Sequence, residues 1–234
     1  AALPALAAAV SLTIAEAESA LLVAPWLLTA VVLAGHAGLV WLRESRQVRD
    51  LWWPVATAYL VVGAGWWLAH AAGLEPVGIT EPFVELTAVH FHYAGLTATV
   101  YAALTWLHAT VRRRTAAAGL VLVAAAPPFV AVGFTWVGWL QIVGAVLLTA
   151  GLLLVAWVVL REVVPAADDR LAAALLAISA LAVIVPMLLA VQWAVGANLG
   201  TPALSVPDMA RTHGLANALG FSLLGLLGWR RLAR

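Results

Sequence analysis

The sequence predicts an all-α, polytopic membrane protein, a bundle of transmembrane helices, and three observations carry that prediction. Hydrophobic residues make up 65% of the 234-residue chain and charged residues only 10%, with a mean hydropathy of +1.02. A soluble domain carries roughly a quarter charged residues. Several apolar runs exceed the ~20 residues that a helix needs to cross a bilayer, and the short segments of alternating polarity that a transmembrane β-barrel needs are absent.

Taken in order, the runs place seven spans near residues 21–42, 51–72, 82–108, 117–132, 139–160, 171–195 and 208–227. An apolar but short stretch over residues 2–12 is a possible eighth helix, and the whole of 1–234 reads as one transmembrane helical domain. Its first residues, Ala1 to Val10, lack the basic region of a signal peptide. Prolines at Pro127-Pro128 and Pro186 fall inside the fourth and sixth spans. Each removes a backbone donor and crowds the preceding turn, so both sites are expected to kink or break their helices.

The loops set an orientation. Arg43, Arg46, Arg49, Arg112, Arg113, Arg114, Arg161, Arg170, Arg230, Arg231 and Arg234 all fall on one side of this topology, and only Arg211 falls on the other. The positive-inside rule makes the arginine-rich side cytoplasmic, with the C-terminus there. Tryptophan agrees: Trp41, Trp52, Trp53, Trp106, Trp157 and Trp229 lie near cytoplasmic ends, and Trp26, Trp66, Trp67, Trp136, Trp139 and Trp193 near outer ends. Arginines spread through short loops form no nucleic-acid surface, and a chain without cysteine has neither disulfides nor thiolate chemistry. The partners that remain are the lipid bilayer and a lipophilic small molecule.

Two polar stretches interrupt this apolar chain. Glu81, Glu85, His90, His92 and Tyr93 lie in and just before the third span, and Asp208, Arg211, Thr212, His213 and Asn217 open the last. Ionisable groups in hydrocarbon cost at least ~2–3 kcal/mol each, so they normally face a protein interior or a wet cavity. At a rise of ~1.5 Å per residue the two stretches match in depth in the outer half of the membrane. If the two helices are neighbours, their polar groups share a cavity. Glu81 and Asp208 have a second reading as helix-start residues, since Ser205 and Asp208 have capping-box spacing and Glu81 suits a positive helix end. His70, near Trp66 and Trp67, reads as an interfacial residue. On an α-helix His90 and His92 diverge by ~200° and cannot share an ion, so no metal site and no cofactor are expected.

Acid–base chemistry fits the inventory. A carboxyl group in a dry pocket keeps its proton and can donate it at neutral pH. Glu85, His90, His92 and His213 are the candidate proton-transfer groups. Arg211, Asn217, Tyr93, Asp208 and Thr212 are the candidate substrate-binding groups. The sequence reading is therefore a membrane enzyme that isomerises or cyclises a lipophilic substrate. The alternative is a small-molecule, proton or cation transporter built on the same centre.

The segments Glu85-Leu86-Thr87-Ala88-Val89-His90-Phe91-His92-Tyr93-Ala94-Gly95 and Met209-x-x-Thr212-His213-Gly214-x-x-Asn217-x-x-Gly220-Phe221 resemble the two hallmark stretches of the YndJ-like family of bacterial membrane proteins. The resemblance implies that Glu85, His90, His92, Thr212, His213 and Asn217 form the family's polar centre. It implies no reaction.

Overall fold

A computed structural model describes residues 16–233, and all the regular structure among them is helical. Helix α1 (Glu16–Val40) runs on through a π-helical turn at Trp41–Ser45 and is followed by α2 (Trp52–Ala71). Helix α3 (Phe83–His90) passes through a π turn at Phe91–Thr97 into α4 (Ala98–His108). Next come α5 (Arg113–Thr135) and α6 (Trp139–Val158), the latter extended by a π turn at Val159–Val163. Helices α7 (Arg170–Ala182) and α8 (Ile184–Asn198) are separated by Val183 alone. The last stretch begins with α9 (Val206–Met209), continues through π turns at Ala210–Gly214 and Ala216–Leu223, and ends in α10 (Leu224–Leu232).

These elements make seven helical stretches among the described residues, one over each predicted span. Four of them, Ala20–Ser45, Arg113–Thr135, Trp139–Val163 and Arg170–Asn198, are long and apolar enough to cross a membrane. The possible helix over residues 2–12 lies outside the described residues. The chain divides into two compact units, Ala1–Thr97 and Ala98–Arg234.

In the first unit, α1 and α2 bury Ala30, Leu60 and Ala64 between them, with Trp26, Leu27, Leu33, Val61 and Leu96 packed around. Lipid tails are as apolar as leucine, so helices in a membrane associate by close packing, and small residues permit it. Gly63 and Gly95 show this directly. A Cβ on Gly63 would lie 2.7 Å from His92 Nδ1 and 3.2 Å from the Ala88 carbonyl, and one on Gly95 would lie 2.7 Å from the Tyr59 Cβ. Helix α2 ends at Gly73, whose φ of +63° suits glycine. The Leu74 N–H then turns back onto the Ala69 carbonyl at 2.9 Å.

In the second unit, α5 and α6 pack backbone to backbone. A Cβ on Gly144 would meet the Val130 nitrogen at 2.7 Å, and one on Gly151 the Val123 nitrogen at 2.9 Å. This contact bears on the kink or break expected at Pro127-Pro128. Pro127 and Pro128 lie inside α5 without breaking it. Ala126 and Pro127 are buried, and Gly144 of α6 fits against the same turn, so packing holds the helix where hydrogen bonds are lost. The break comes instead at Val183, three residues before Pro186, where the missing Pro186 N–H leaves the Ala182 carbonyl without its helical donor.

Several helix ends of this unit are tied by charge. The Glu162 carboxylate accepts the backbone N–H groups of Thr110, Val111 (2.8 Å) and Arg112 (2.9 Å) together with the Thr110 hydroxyl (2.8 Å). Arg112 stacks on Trp157 and Arg113 on Trp106. Asp169 caps α7 through the Leu171 and Ala172 N–H groups and pairs with Arg231 at 2.6 Å.

Candidate functional site

The predicted polar residues divide between the two units: Glu85, His90, His92 and Tyr93 fall in the first, and Asp208, Arg211, Thr212, His213 and Asn217 in the second.

In the first unit His92 is held from both sides. The Trp26 indole N–H donates to its Nε2 at 2.9 Å, and since indole can only donate, Nε2 is the accepting nitrogen. Nδ1 therefore carries the proton and donates it to the Ala88 carbonyl at 2.8 Å. Trp26 lies nearly parallel to the ring and Trp67 meets it edge-on. Both nitrogens are engaged and the imidazole is fixed as one neutral tautomer. Tyr93 is 40% exposed, and His90 is half-buried one residue before the π turn.

Glu85 stands in a different setting. It is half-buried, and its carboxylate makes no hydrogen bond or ion pair among the described residues. It lines a small cavity of about 50 Å³ with Trp67, His70, Ala88 and Val89. His70 Nδ1–H donates to Glu81 Oε1 at 2.7 Å, while Glu81 Oε2 accepts the Glu85 backbone N–H at 3.3 Å. Glu81 thus does two jobs, securing the start of α3 and orienting the His70 ring. With Nδ1 donating, Nε2 is left as the basic nitrogen, as in any carboxylate-oriented imidazole. Val89, 44% exposed, forms an outer wall of the cavity.

Sequence reasoning missed His70. The signal was available: His70 ends α2 shortly before Glu81 opens α3, and a turn containing Gly73, Pro76 and Gly78 brings the chain back between them. An imidazole and a carboxylate at the two ends of one short connection are natural partners.

In the second unit His213 Nδ1–H donates to the Pro186 carbonyl at 2.8 Å. The Asn217 amide lies one turn on and 3.3 Å from Nε2, which it can supply with a proton donor. Its Oδ1 is buried without a partner among the described residues. A carbonyl has two lone pairs, so the Pro186 carbonyl can serve both its helix and His213. Its neighbour, the Met187 carbonyl, likewise accepts the Thr149 hydroxyl at 3.2 Å. The helix break is thereby fastened to α6 and to the last helical stretch.

Arg211 is 76% exposed and lies 3.9 Å from Asp208. Asp208 also accepts the Ser205 hydroxyl at 2.6 Å, while Ser205 Oγ accepts the Asp208 N–H, which makes Asp208 part of the helix start. Thr212 donates its hydroxyl to the Asp208 carbonyl at 2.7 Å. Among the described residues no three histidine, aspartate or glutamate side chains stand close enough to share a metal ion.

Comparison with known proteins gives a consistent picture. Residues 1–221 match the model of a family described as YndJ-like protein. The uncharacterized membrane protein YndJ of Bacillus subtilis (strain 168) is 24% identical over 208 residues, covering 88% of this chain. The match covers only 37% of that relative's length. No solved structure matches.

Proposed function

Starting from the fact that the chain belongs to the YndJ-like family of membrane proteins, we propose that it is an acid–base catalyst acting on a lipophilic molecule, with Glu85 and the Glu81-oriented His70 as its working groups. One observation carries the reading: a half-buried carboxylate without a partner among the described residues shares a cavity with an imidazole whose far nitrogen is held by a second carboxylate. His70 Nε2 takes a proton from one carbon of the substrate, protonated Glu85 returns one to another carbon, and proton exchange between the two groups restores the starting state. Atoms balance without a cofactor, and the product is an isomer or a ring closed by proton addition. The exposed Val89 wall supports entry of the reacting group sideways from lipid. In this reading the chain lies in the bacterial cytoplasmic membrane with its C-terminus cytoplasmic, because eleven of twelve arginines fall on that side.

The test compares total lipid extracts from cells making the parent protein, Glu85→Gln and His70→Asn. The reading expects one lipophilic species to accumulate in both variants while its isomer declines. Identical extracts, with all three proteins present in the membrane at equal levels, would overturn it.

A second reading, proton- or cation-coupled transport, draws support from the broken helix at Val183, since discontinuous helices are common at transporter sites. It predicts that the protein in vesicles dissipates an imposed pH gradient, which the catalytic reading does not.

A further inference from the structure

The turn between α4 and α5 gathers charge that the acid–base reading leaves unused. Arg112, Arg113 and Arg114 follow one another where α5 begins, and Arg161 immediately precedes Glu162, whose carboxylate bonds to this same turn. Glu162 cannot answer four arginines. Its side chain is 10% exposed, and its oxygens already accept three backbone N–H groups and a hydroxyl. The Arg112 guanidinium comes only to 4.0 Å of the oxygen that takes Arg112's own N–H at 2.9 Å. Arg113, Arg114 and Arg161 are exposed and make no ion pair among the described residues. Their position also has a cost. Arg113 and Arg114 occupy the positive end of a 23-residue helix whose first turn holds no acidic residue, where cations are unfavourable. An anion bound by these side chains offsets that repulsion.

The arginines stand among apolar side chains. The Arg112 guanidinium lies 5.0 Å from the centre of the Trp157 ring, and that of Arg113 lies 4.9 Å from the centre of the Trp106 ring. A guanidinium held over an indole face keeps its N–H groups for other acceptors. Trp157 and Leu107 are each 46% exposed, and Val111, inside the turn itself, is 81% exposed. Exposed apolar groups interleaved with unpaired arginines match the layer of a bilayer where acyl chains meet phosphates. A soluble acidic partner would satisfy the arginines and leave Val111 in water, whereas the headgroup layer accommodates both.

We propose that this turn binds the headgroup phosphate of an anionic phospholipid, with Arg113, Arg114 and Arg161 as its cationic partners. Val111 and Trp157 then lie against the adjoining chains. The proposal stands apart from the acid–base reading, since it concerns residues of the other unit.

The experiment titrates the full chain in detergent with phosphatidylglycerol or phosphatidylcholine and counts bound lipid by native mass spectrometry. The parent protein is expected to bind phosphatidylglycerol more tightly. Arg113→Gln and Arg161→Gln should each weaken that binding about five-fold, the worth of one basic residue at a membrane surface, and leave phosphatidylcholine binding as it was. The two positions lie on different helices and are both exposed, so the result does not hang on one variant folding. Arg43→Gln removes the same charge from an exposed position in the first unit and should bind phosphatidylglycerol as the parent does. Equal binding of the two lipids by the parent, or equal losses in Arg43→Gln and Arg113→Gln, would overturn the proposal. So would displacement of phosphatidylglycerol by an equal concentration of glycerol phosphate, because the turn would then be a site for a free anion.

Discussion

Gly63 and Gly65 lie two residues apart in α2, and replacing each by alanine separates packing from helix propensity. At Gly65 an added Cβ meets nothing within 4 Å, so Gly65→Ala should be neutral or stabilising by up to ~1 kcal/mol through the unfolded chain's lost freedom. At Gly63 the same atom would lie 2.7 Å from His92 Nδ1, 2.9 Å from Cε1 and 3.2 Å from the Ala88 carbonyl. Moving the imidazole would normally relieve such a contact cheaply, but this ring is tied at both nitrogens, to Trp26 and to Ala88. Displacing it gives up two hydrogen bonds worth ~1 kcal/mol each and leaves the indole N–H poorly placed, which costs ~1–2 kcal/mol more. Gly63→Ala should therefore destabilise the protein by about 2–4 kcal/mol. Thermal unfolding in detergent, followed by tryptophan fluorescence, reads both effects, and Trp26 makes the Gly63 variant spectrally distinct. Equal stability of the two alanine variants would refute the claim that His92 is locked.

Three further outcomes follow from the same structure. Glu162→Ala should destabilise the second unit by about 3 kcal/mol, because three backbone N–H groups and a hydroxyl lose their acceptor, and Glu162→Gln should cost less by retaining one oxygen; denaturant unfolding ranks the pair. Ser179→Ala should cost ~1 kcal/mol by removing the buried bond to the Phe221 carbonyl at 2.7 Å, readable in the same unfolding assay. The Asp169 carboxyl is held below its ordinary range by the Ala172 N–H, with the Leu171 N–H and Arg231 adding to that against the opposing effect of burial. A depressed carboxyl contributes stability above its unfolded value and loses it as pH falls through the folded one. The gap in melting temperature between the parent and Asp169→Ala should thus be largest at neutral pH and close in acid.

The fold was legible because an apolar run of about twenty residues has few alternatives. All seven predicted spans coincide with helical stretches, and the observed ends mostly extend them by a few residues. The π turns were not legible. Each adds a residue to a turn without altering composition, and three of the five fall on the polar stretches themselves, at Phe91–Thr97, Ala210–Gly214 and Ala216–Leu223. Face assignments that assume an α-helical period degrade there, and such turns often mark functional sites. At Pro127-Pro128 the sequence shows the lost donors but not the glycine opposite that lets α6 hold the helix unbroken.

Within the polar stretches, local readings succeeded and distant ones failed. Ser205 with Asp208 is a spacing of three, and the capping contact is there. Trp26 and His92 are 66 residues apart, and nothing in either neighbourhood announces the bond that satisfies the imidazole. His70 and Glu81 each had an adequate local explanation, as an interfacial residue and a helix start, which concealed that each is the other's partner.

The central claim is proton transfer at Glu85 and His70, and it can be tested without knowing the substrate. Purified protein in nanodiscs made from total bacterial lipid extract is incubated in D₂O, and the lipids are recovered, back-exchanged in H₂O and weighed by mass spectrometry. Proton abstraction and return at carbon writes solvent deuterium into a position that water does not exchange. The account predicts one lipophilic species that gains a deuterium with the parent protein and with neither Glu85→Gln nor His70→Asn. A lipid pool no heavier than in protein-free nanodiscs, or deuterium gained equally with all three proteins, would contradict it.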